Sequence, residues 1–415
     1  MRRTNWAGNY TYRARRLHRP STLEQLREIC AAAPELKALG SAHSFTDIGD
    51  CAELVTLDAL EPELSFDHAA GCVSLTANQT YGAVAQALTA ERMALANLAS
   101  LPHISVAGAV STGTHGSGDG NGSLSAAVRE LELVTSTGEV ICARRGQPEF
   151  DGMVVGLGAL GVLTRLTLDV EPAYEMRQRV FEGLSWEALV EHFDAITGSG
   201  YSVSLFTRWG ASIEQAWVKS RVSEETETLG ERLFGATAAG GERHPIPGLD
   251  PANCTSQLGA AGPWWDRLPH FRMGFTPSSG AEIQSEYLLP RRHAVAAIDA
   301  MRGLGEVIGP VLQVSEIRTI AADRLWMSPA YGRDSVALHF TWSPQQQPVE
   351  RALAAVEEAL MPLQGRPHWG KLFLAEPETI AAGYDRCHSF IALAAQLDPR
   401  GAFRNRWLER HLPEV

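Results

Sequence analysis

The chain has no stretch approaching the ~18 consecutive apolar residues of a membrane-spanning helix, so no membrane partner is expected. Two arginines open Met1-Arg2-Arg3-Thr4-Asn5-Trp6-Ala7-Gly8-Asn9, but the apolar segment of a secretory signal does not follow. A cytoplasmic location is expected. Cysteine is sparse and scattered (Cys30, Cys51, Cys72, Cys142, Cys254, Cys387), with no C-x-x-C pair. An even count permits disulfides, but a core of this size does not need them, and the thiols are expected mostly reduced and buried. No H-E-x-x-H, EF-hand loop or G-x-S-x-G elbow occurs, so neither a metal centre nor a serine hydrolase is expected. Positive charge is also short: 36 Lys and Arg against 48 Asp and Glu leave 36 − 48 = −12. Such a chain is a poor general binder of nucleic acid, and none is expected as a partner.

What is present fits an ordinary globular protein, with 45% hydrophobic and 20% charged residues. Its 415 residues suggest two or three domains, large enough to bury a core without staples. Residues 21–33 read as a helix, with Ser21 and Glu24 at capping-box spacing. Residues 80–94 form a second, Ala-rich helix. Strands are expected at 35–39, 55–57, 73–77, 130–134, 139–143 and 162–170, the last with clear alternation. Residues 99–125 hold too many Gly, Ser and Thr for a regular element. Pro172 marks a domain boundary. Beyond it come a surface loop at 222–250, strands at 283–289, 314–320 and 336–342, a helix at 348–361 and a strand at 371–373. The last 30 residues are partly helical.

Gly156-Leu157-Gly158-Ala159-Leu160-Gly161 spells G-x-G-x-x-G. A dinucleotide fingerprint needs a preceding strand, a following helix and an acidic residue ~20 positions on. Here a strand pattern follows, and position 181 is Phe. The motif reads instead as a tight loop between a helix and a strand. Its glycines still permit close backbone approach to a cofactor.

Two segments carry the chemistry. Gly40-Ser41-Ala42-His43-Ser44 sets a histidine in a turn of small residues, where backbone N–H groups can converge on an anion. Ser100 to Gly118 offers many backbone and hydroxyl donors with little bulk. Further on, Gln284 with Glu286, Glu316 with Arg318, and His339 with Thr341 sit at i and i+2 on strand candidates, so each pair shares a face. Such a face is either a solvated sheet surface or a wall of hydrogen-bonding groups suited to a polyhydroxyl ligand.

These stretches resemble the vanillyl-alcohol-oxidase-type flavoproteins, and within them the whole chain is similar to the alditol (xylitol/sorbitol) oxidases. The resemblance runs from Asn5-Trp6-Ala7-Gly8-Asn9 through Gly40 to Phe45, Ser100 to Gly118, Gln284 to Tyr287, Glu316 to Thr319, His339 to Trp342 and His368-Trp369-Gly370-Lys371. It ends at Asp398 to Asn405. It implies a two-domain α+β fold: a FAD-binding domain over 1–172, a substrate-binding cap over 173–365, and a C-terminal segment, 366–415, returning to the FAD domain. It implies FAD attached covalently through His43. Ala38, Leu39, Gly40, Ser41, Ala42, Ser44, Ser100, Ser105, Gly108, Thr112, Gly113, Thr114, His115 and His368 would also bind the cofactor. His103 has a lesser claim. Many relatives carry Gly where this chain has Ala42, whose methyl disfavours positive φ.

By the same resemblance, Ser100, Gln284, Glu316, Arg318, Thr341 and Lys371 line a polyol site. Arg318 and Lys371 would stabilise developing negative charge, and Glu316 would orient Arg318. Glu316, His339, Lys371 and water remain open as the base. The implied reaction oxidises a terminal primary alcohol of an alditol and reduces O2 to H2O2, and a monomer is expected. An aldonolactone oxidase or dehydrogenase on the same scaffold is the alternative. More distant readings are a nicotinamide-dependent dehydrogenase using the 156–161 glycines and a non-catalytic carbohydrate-binding protein.

Overall fold

Period-two alternation decides where the sheets form, and register decides which side chains meet. In a computed structural model, which describes residues 3–223, 230–275 and 281–413, most strands fall in three sheets. A small parallel sheet orders Arg16–His18, Glu53–Val55 and Lys37–Ala38. Parallel strands need a crossover, and helix Leu23–Ala32 supplies it. Its buried Leu26 and Cys30 join Val134 and Val162 of the next sheet in one apolar cluster. The helix cap lies one residue later than the sequence suggested. Thr22 accepts the Gln25 N–H, and the Gln25 side chain bonds back to the Ser21 N–H at 2.9 Å. Glu24 instead pairs with Arg27 at 3.0 Å.

The second sheet is antiparallel, in the order Leu64–Asp67, Cys72–Thr76, Val162–Asp169, Val128–Val134, Val140–Arg144. The glycine motif is indeed a tight loop, between helix Phe150–Met153 and strand Val162–Asp169. The Ala-rich helix stops at Ala90, because Met93–Ala94 pairs with Glu171–Pro172. Residues 99–125 are less irregular than expected. Helix Val106–Ser111 buries Val106, Ala109 and Val110, and a 3-10 turn covers Leu124–Ala127.

The third sheet has ten strands and contains Glu175–Leu184, Ile213–Arg221, Ser202–Thr207, Leu312–Ile320, Ser335–Trp342 and Ile283–Pro290 as successive neighbours. Helices Ala294–Gly303 and Gln346–Leu360 pack against Ile283–Pro290. Part of the expected 222–250 loop forms strands, Arg232–Leu233 at the sheet edge and Ala236–Ala238 beside it; residues 224–229 lie outside the described set. The strand expected at 371–373 does not form. Those residues follow a turn, and the Leu372 N–H makes a lone bond to Gln284 O at 2.9 Å.

The sheets are joined at the end of the glycine-rich loop. Gly118 N–H donates to Thr319 O at 2.9 Å, and the Ala321 N–H donates to Asn121 O at 2.9 Å. Asp119 accepts from Thr319 Oγ1 at 2.6 Å and from Arg291 at 2.7 Å. Gly118 has φ +136°, and a Cβ there would collide with Asn121 and the Tyr201 carbonyl. Gly118→Ala should therefore cost on the order of 3 kcal/mol, read as a fall in Tm. Gly120→Ala, whose added methyl meets open space, should leave Tm nearly unchanged.

Candidate active site

A cavity of about 710 Å³ lies where the polar face of the large sheet meets the turn after Lys37–Ala38 and the start of helix Val106–Ser111. The turn and the helix start interlock around Ser105. Ser105 N–H donates to Ser41 Oγ at 3.0 Å, and a Cβ on Gly40 or Gly108 would strike the Ser105 hydroxyl. Ala42 occupies the left-handed region at φ +57°, so the methyl that distinguishes it from Gly is held in a strained turn. Next to it, the His43 ring packs between Trp6 at 4.9 Å and His103 at 4.6 Å. Burial, with a smaller push from His103, lowers the His43 pKa to about 3. Its imidazole is therefore neutral near pH 7.

The opposite wall follows from register. Glu286 pairs with His339 and His339 with Glu316; Gln284 pairs with Thr341. Facing residues of antiparallel strands share one side of the sheet. The structure decides against a solvated face: Glu286, Glu316, Arg318, His339 and Thr341 are all buried.

Glu286, 1% exposed, organises the charges. Its Oε1 accepts from Arg318 Nη2 at 2.5 Å and stands 3.4 Å from His115 Nε2; its Oε2 accepts from Lys371 Nζ at 2.7 Å. Burial alone would raise its pKa, but Lys371, Arg318 and His115 together hold it well below the usual carboxylate range. Glu316 is likewise held ionised against burial, first by Arg318 and then by His270. Arg318 Nε lies 3.6 Å from Glu316 Oε2, and His270 Nε2 lies 2.9 Å from Oε1. Burial lowers the Lys371 pKa while Glu286 opposes it. Burial also pushes His339 and His368 well below the usual histidine value. The His339 Nε2 is 3.1 Å from Gln284 Oε1.

Of the residues expected at the site, Ala38, Leu39, Gly40, Ser41, Ala42, His43, Ser44, Ser100, Ser105, Gly108, Thr112, Thr114, His115, Gln284, Glu316, Arg318, Thr341, His368 and Lys371 all line this one cavity. Gly113 does not; at φ +67° it makes the turn after the helix, where a Cβ would press on Pro329. His103 stands behind His43 rather than at the lining. The sequence-based site omitted Glu286, although its position two residues after Gln284 marked it. It also omitted His270, and Lys37, whose buried Nζ bonds Gly158 O at 2.9 Å at the glycine loop.

The residues present fit FAD. The lining includes Val55, Leu57, Ala77, Leu157 and Leu163, apolar surface suited to a flat ring. It also includes the Gly40–Ser105–Gly108 cradle, where backbone can approach closely, and the polar wall.

Comparison with known proteins agrees. Residues 14–144 match the family model described as FAD binding domain, and residues 281–411 match that of D-arabinono-1,4-lactone oxidase. The chain is 47% identical to the alditol oxidase of Streptomyces sp., over 98% of this chain and 97% of that one. It is 29% identical to the L-gulono-1,4-lactone dehydrogenase of Mycobacterium tuberculosis, over 99% of this chain and 98% of that one. The crystal structure of cholesterol oxidase from B. sterolicum superposes with a TM-score of 0.80 at 14% identity, covering 99% of this chain and 96% of that chain. That last likeness speaks for the fold, an FAD-binding domain beside a sheet-based second domain. Near-complete coverage at almost one identical residue in two is decisive: the chain belongs to the alditol oxidase family of vanillyl-alcohol-oxidase-type, FAD-linked oxidoreductases.

Proposed function

We propose that this enzyme oxidises an alditol such as xylitol or sorbitol at a terminal primary alcohol to the aldose, with O2 reduced to H2O2. The observation that carries this reading is the buried polar wall around Glu286, facing the His43 turn across one cavity. A neutral polyol needs directional donors and acceptors for each hydroxyl rather than net charge. Ser100, Gln284, Glu316, Arg318, Thr341 and Lys371 supply both kinds. FAD held there would supply the two-electron acceptor for the alcohol and, once reduced, the electrons for O2.

Arg318 and Lys371 stabilise the substrate oxygen as negative charge develops there. One preorganised contact of this kind is worth ~3 kcal/mol in comparable sites. Glu316 is held ionised by its cationic neighbours and is a weak base. Lys371 donates to Glu286 and offers no lone pair while charged. His339, kept neutral by burial, and water remain as acceptors for the hydroxyl proton.

The cofactor is held by the 38–44 turn, Ser100, Ser105, Gly108, Thr112, Thr114, His115 and His368, with Gly113 shaping the backbone. The neutral His43 imidazole is a competent nucleophile for covalent attachment of the flavin. We assign residues 1–172 to the FAD domain and 173–365 to the cap. The assignment is supported by the strands from Glu175 to Trp342 sharing one sheet, to which Arg366–Pro367 adds a last short strand before the chain leaves it. The segment 366–415 returns to the FAD domain, supported by the Leu36 N–H bond to Ala402 O at 2.7 Å. A monomeric, cytoplasmic enzyme completes this reading, and six cysteines, five of them buried, with no disulfide among the described residues, are in keeping with a reducing compartment.

Xylitol and sorbitol should each produce H2O2 without an added electron acceptor. Turnover confined to gulonolactone would favour the lactone-oxidase alternative, which the family match at 281–411 keeps in view. After acid precipitation the yellow flavin should stay in the pellet, and His43→Ala should release it to the supernatant. A wild-type flavin that washes out would sink the covalent link alone.

Glu286 gives a pH signature. Its depressed pKa contributes stability that is fully present above the ordinary value of 4.5 and is lost as pH falls through the folded value. Glu286→Gln mimics the protonated form and should lower Tm at neutral pH, as breaking a buried pair costs roughly 3–5 kcal/mol. The Tm gap between the two proteins should narrow as pH drops below 4.5. A gap independent of pH would show that Glu286 is not an ionised partner.

A further inference from the structure

Behind the substrate wall lies a lysine that the proposed chemistry does not use. Lys219 sits on strand Ile213–Arg221 opposite Ser202, and Ser204 and Phe206 of that neighbouring strand lie opposite Arg318 and Glu316. Period two therefore places Lys219 on the same face of the sheet as the wall. It is fully buried, at 0% exposure. Its Nζ meets three acceptors: Leu268 O at 2.5 Å, Pro269 O at 3.2 Å and His270 Nδ1 at 3.3 Å. His270 turns its other nitrogen, Nε2, to Glu316 Oε1 at 2.9 Å. Phe206 and Trp217 hold the ring edge-on, each at 5.4 Å.

The hydrogens of this chain can be counted. An ammonium has three N–H donors and no acceptor, and a carbonyl oxygen only accepts. Two carbonyls and His270 Nδ1 consume all three donors. Nδ1 must therefore present its lone pair, and a neutral imidazole then carries its single N–H on Nε2, aimed at Glu316. We propose that Lys219 locks His270 in its Nε2–H tautomer and thereby fixes the Glu316 carboxylate, with Oε1 bound to His270 and Oε2 left for Arg318 and the substrate. Without Lys219 the Nδ1–H tautomer competes, and its Nε2 lone pair would face the carboxylate. Lys219 and His270 are positioning residues for Glu316. The kinetic consequence rests on the polyol-oxidase reading of the site; the tautomer itself does not.

Burial, opposed by Glu316, lowers the Lys219 pKa to about 7, and burial with help from Lys219 lowers that of His270 to about 4. Measurements at about pH 6 therefore keep the lysine charged and the histidine neutral. Lys219→Met removes the donors at similar length, and Lys219→Gln keeps two of the three. His270→Gln carries an amide N–H that can reach Glu316 without depending on a tautomer. In the holoenzyme, Lys219→Met should raise KM for xylitol about tenfold with kcat within about threefold, and Lys219→Gln should recover part of the loss. In the His270→Gln background, Lys219→Met should change KM less than about twofold. An equal loss in both backgrounds would mean that Lys219 acts through packing, and would overturn the proposal. The tautomer is read independently from 15N-histidine spectra of the wild type, with the His270 signals identified by their loss in His270→Gln. An unprotonated Nδ1 supports the lock, and a protonated Nδ1 overturns it. A wild type that shows the expected tautomer but oxidises no polyol would refute the functional reading and leave the lock standing.

Discussion

A carboxylate with no access to water must be surrounded by cations or lose its charge. Glu286 meets that constraint with partners from three places in the chain: Arg318 from the neighbouring sheet region, Lys371 from the turn after His368, and His115 from the glycine-rich loop. The rest of the site depends on this convergence. Glu286 and Glu316 are balanced by Arg318 and Lys371, so the inner ring closes near zero formal charge. A neutral, hydrogen-bonding ligand can replace water there without carrying a counter-charge. The same closure explains why the wall is buried rather than solvated.

The convergence requires that the two halves of the molecule be fixed against each other. Small residues in the 112–118 segment achieve this by close packing rather than by flexibility. A Cβ on Gly116 would strike Asn97 and the Leu98 carbonyl, and Gly118 lies against the Tyr201 carbonyl. Ser117 Oγ bonds Ser202 Oγ at 2.5 Å, two residues before the position opposite Arg318. The loop that brings His115 to Glu286 is thus the same loop that carries hydrogen bonds into the large sheet.

The strands were legible because alternation is local. Gln284, Glu316, Arg318, His339 and Thr341 could be placed on common faces from spacing alone, and register then set those faces side by side. The resemblance supplied what spacing could not, above all the pairing of His43 with a cavity. Short-range competition blurred other features. The cap of the first helix moved one residue because Thr22 takes the role given to Ser21. The 371–373 strand failed because a turn at His368 leaves only one backbone bond to Gln284. Glu286 shows the limit most clearly: its polarity and face were visible, but its central place depends on Lys371, 85 residues away. The Lys219–His270–Glu316 chain is equally non-local and carries no motif.

The stretch just after the His43 turn is braced from far along the chain. Asn405 Nδ2 donates to the carbonyls of Ile48 at 3.0 Å and Asp50 at 2.9 Å, and Arg400 donates to those of Cys30 and Ser136. A ribosome adds roughly 5–20 residues per second, and domains usually begin folding as they emerge. Here the N-terminal sheets can pair early, while the Ile48–Asp50 stretch gains these braces only once residues 400–405 have been made. Ile48 and Gly49 line the cavity, so that part of its wall is secured late, when segments made far apart in time have met.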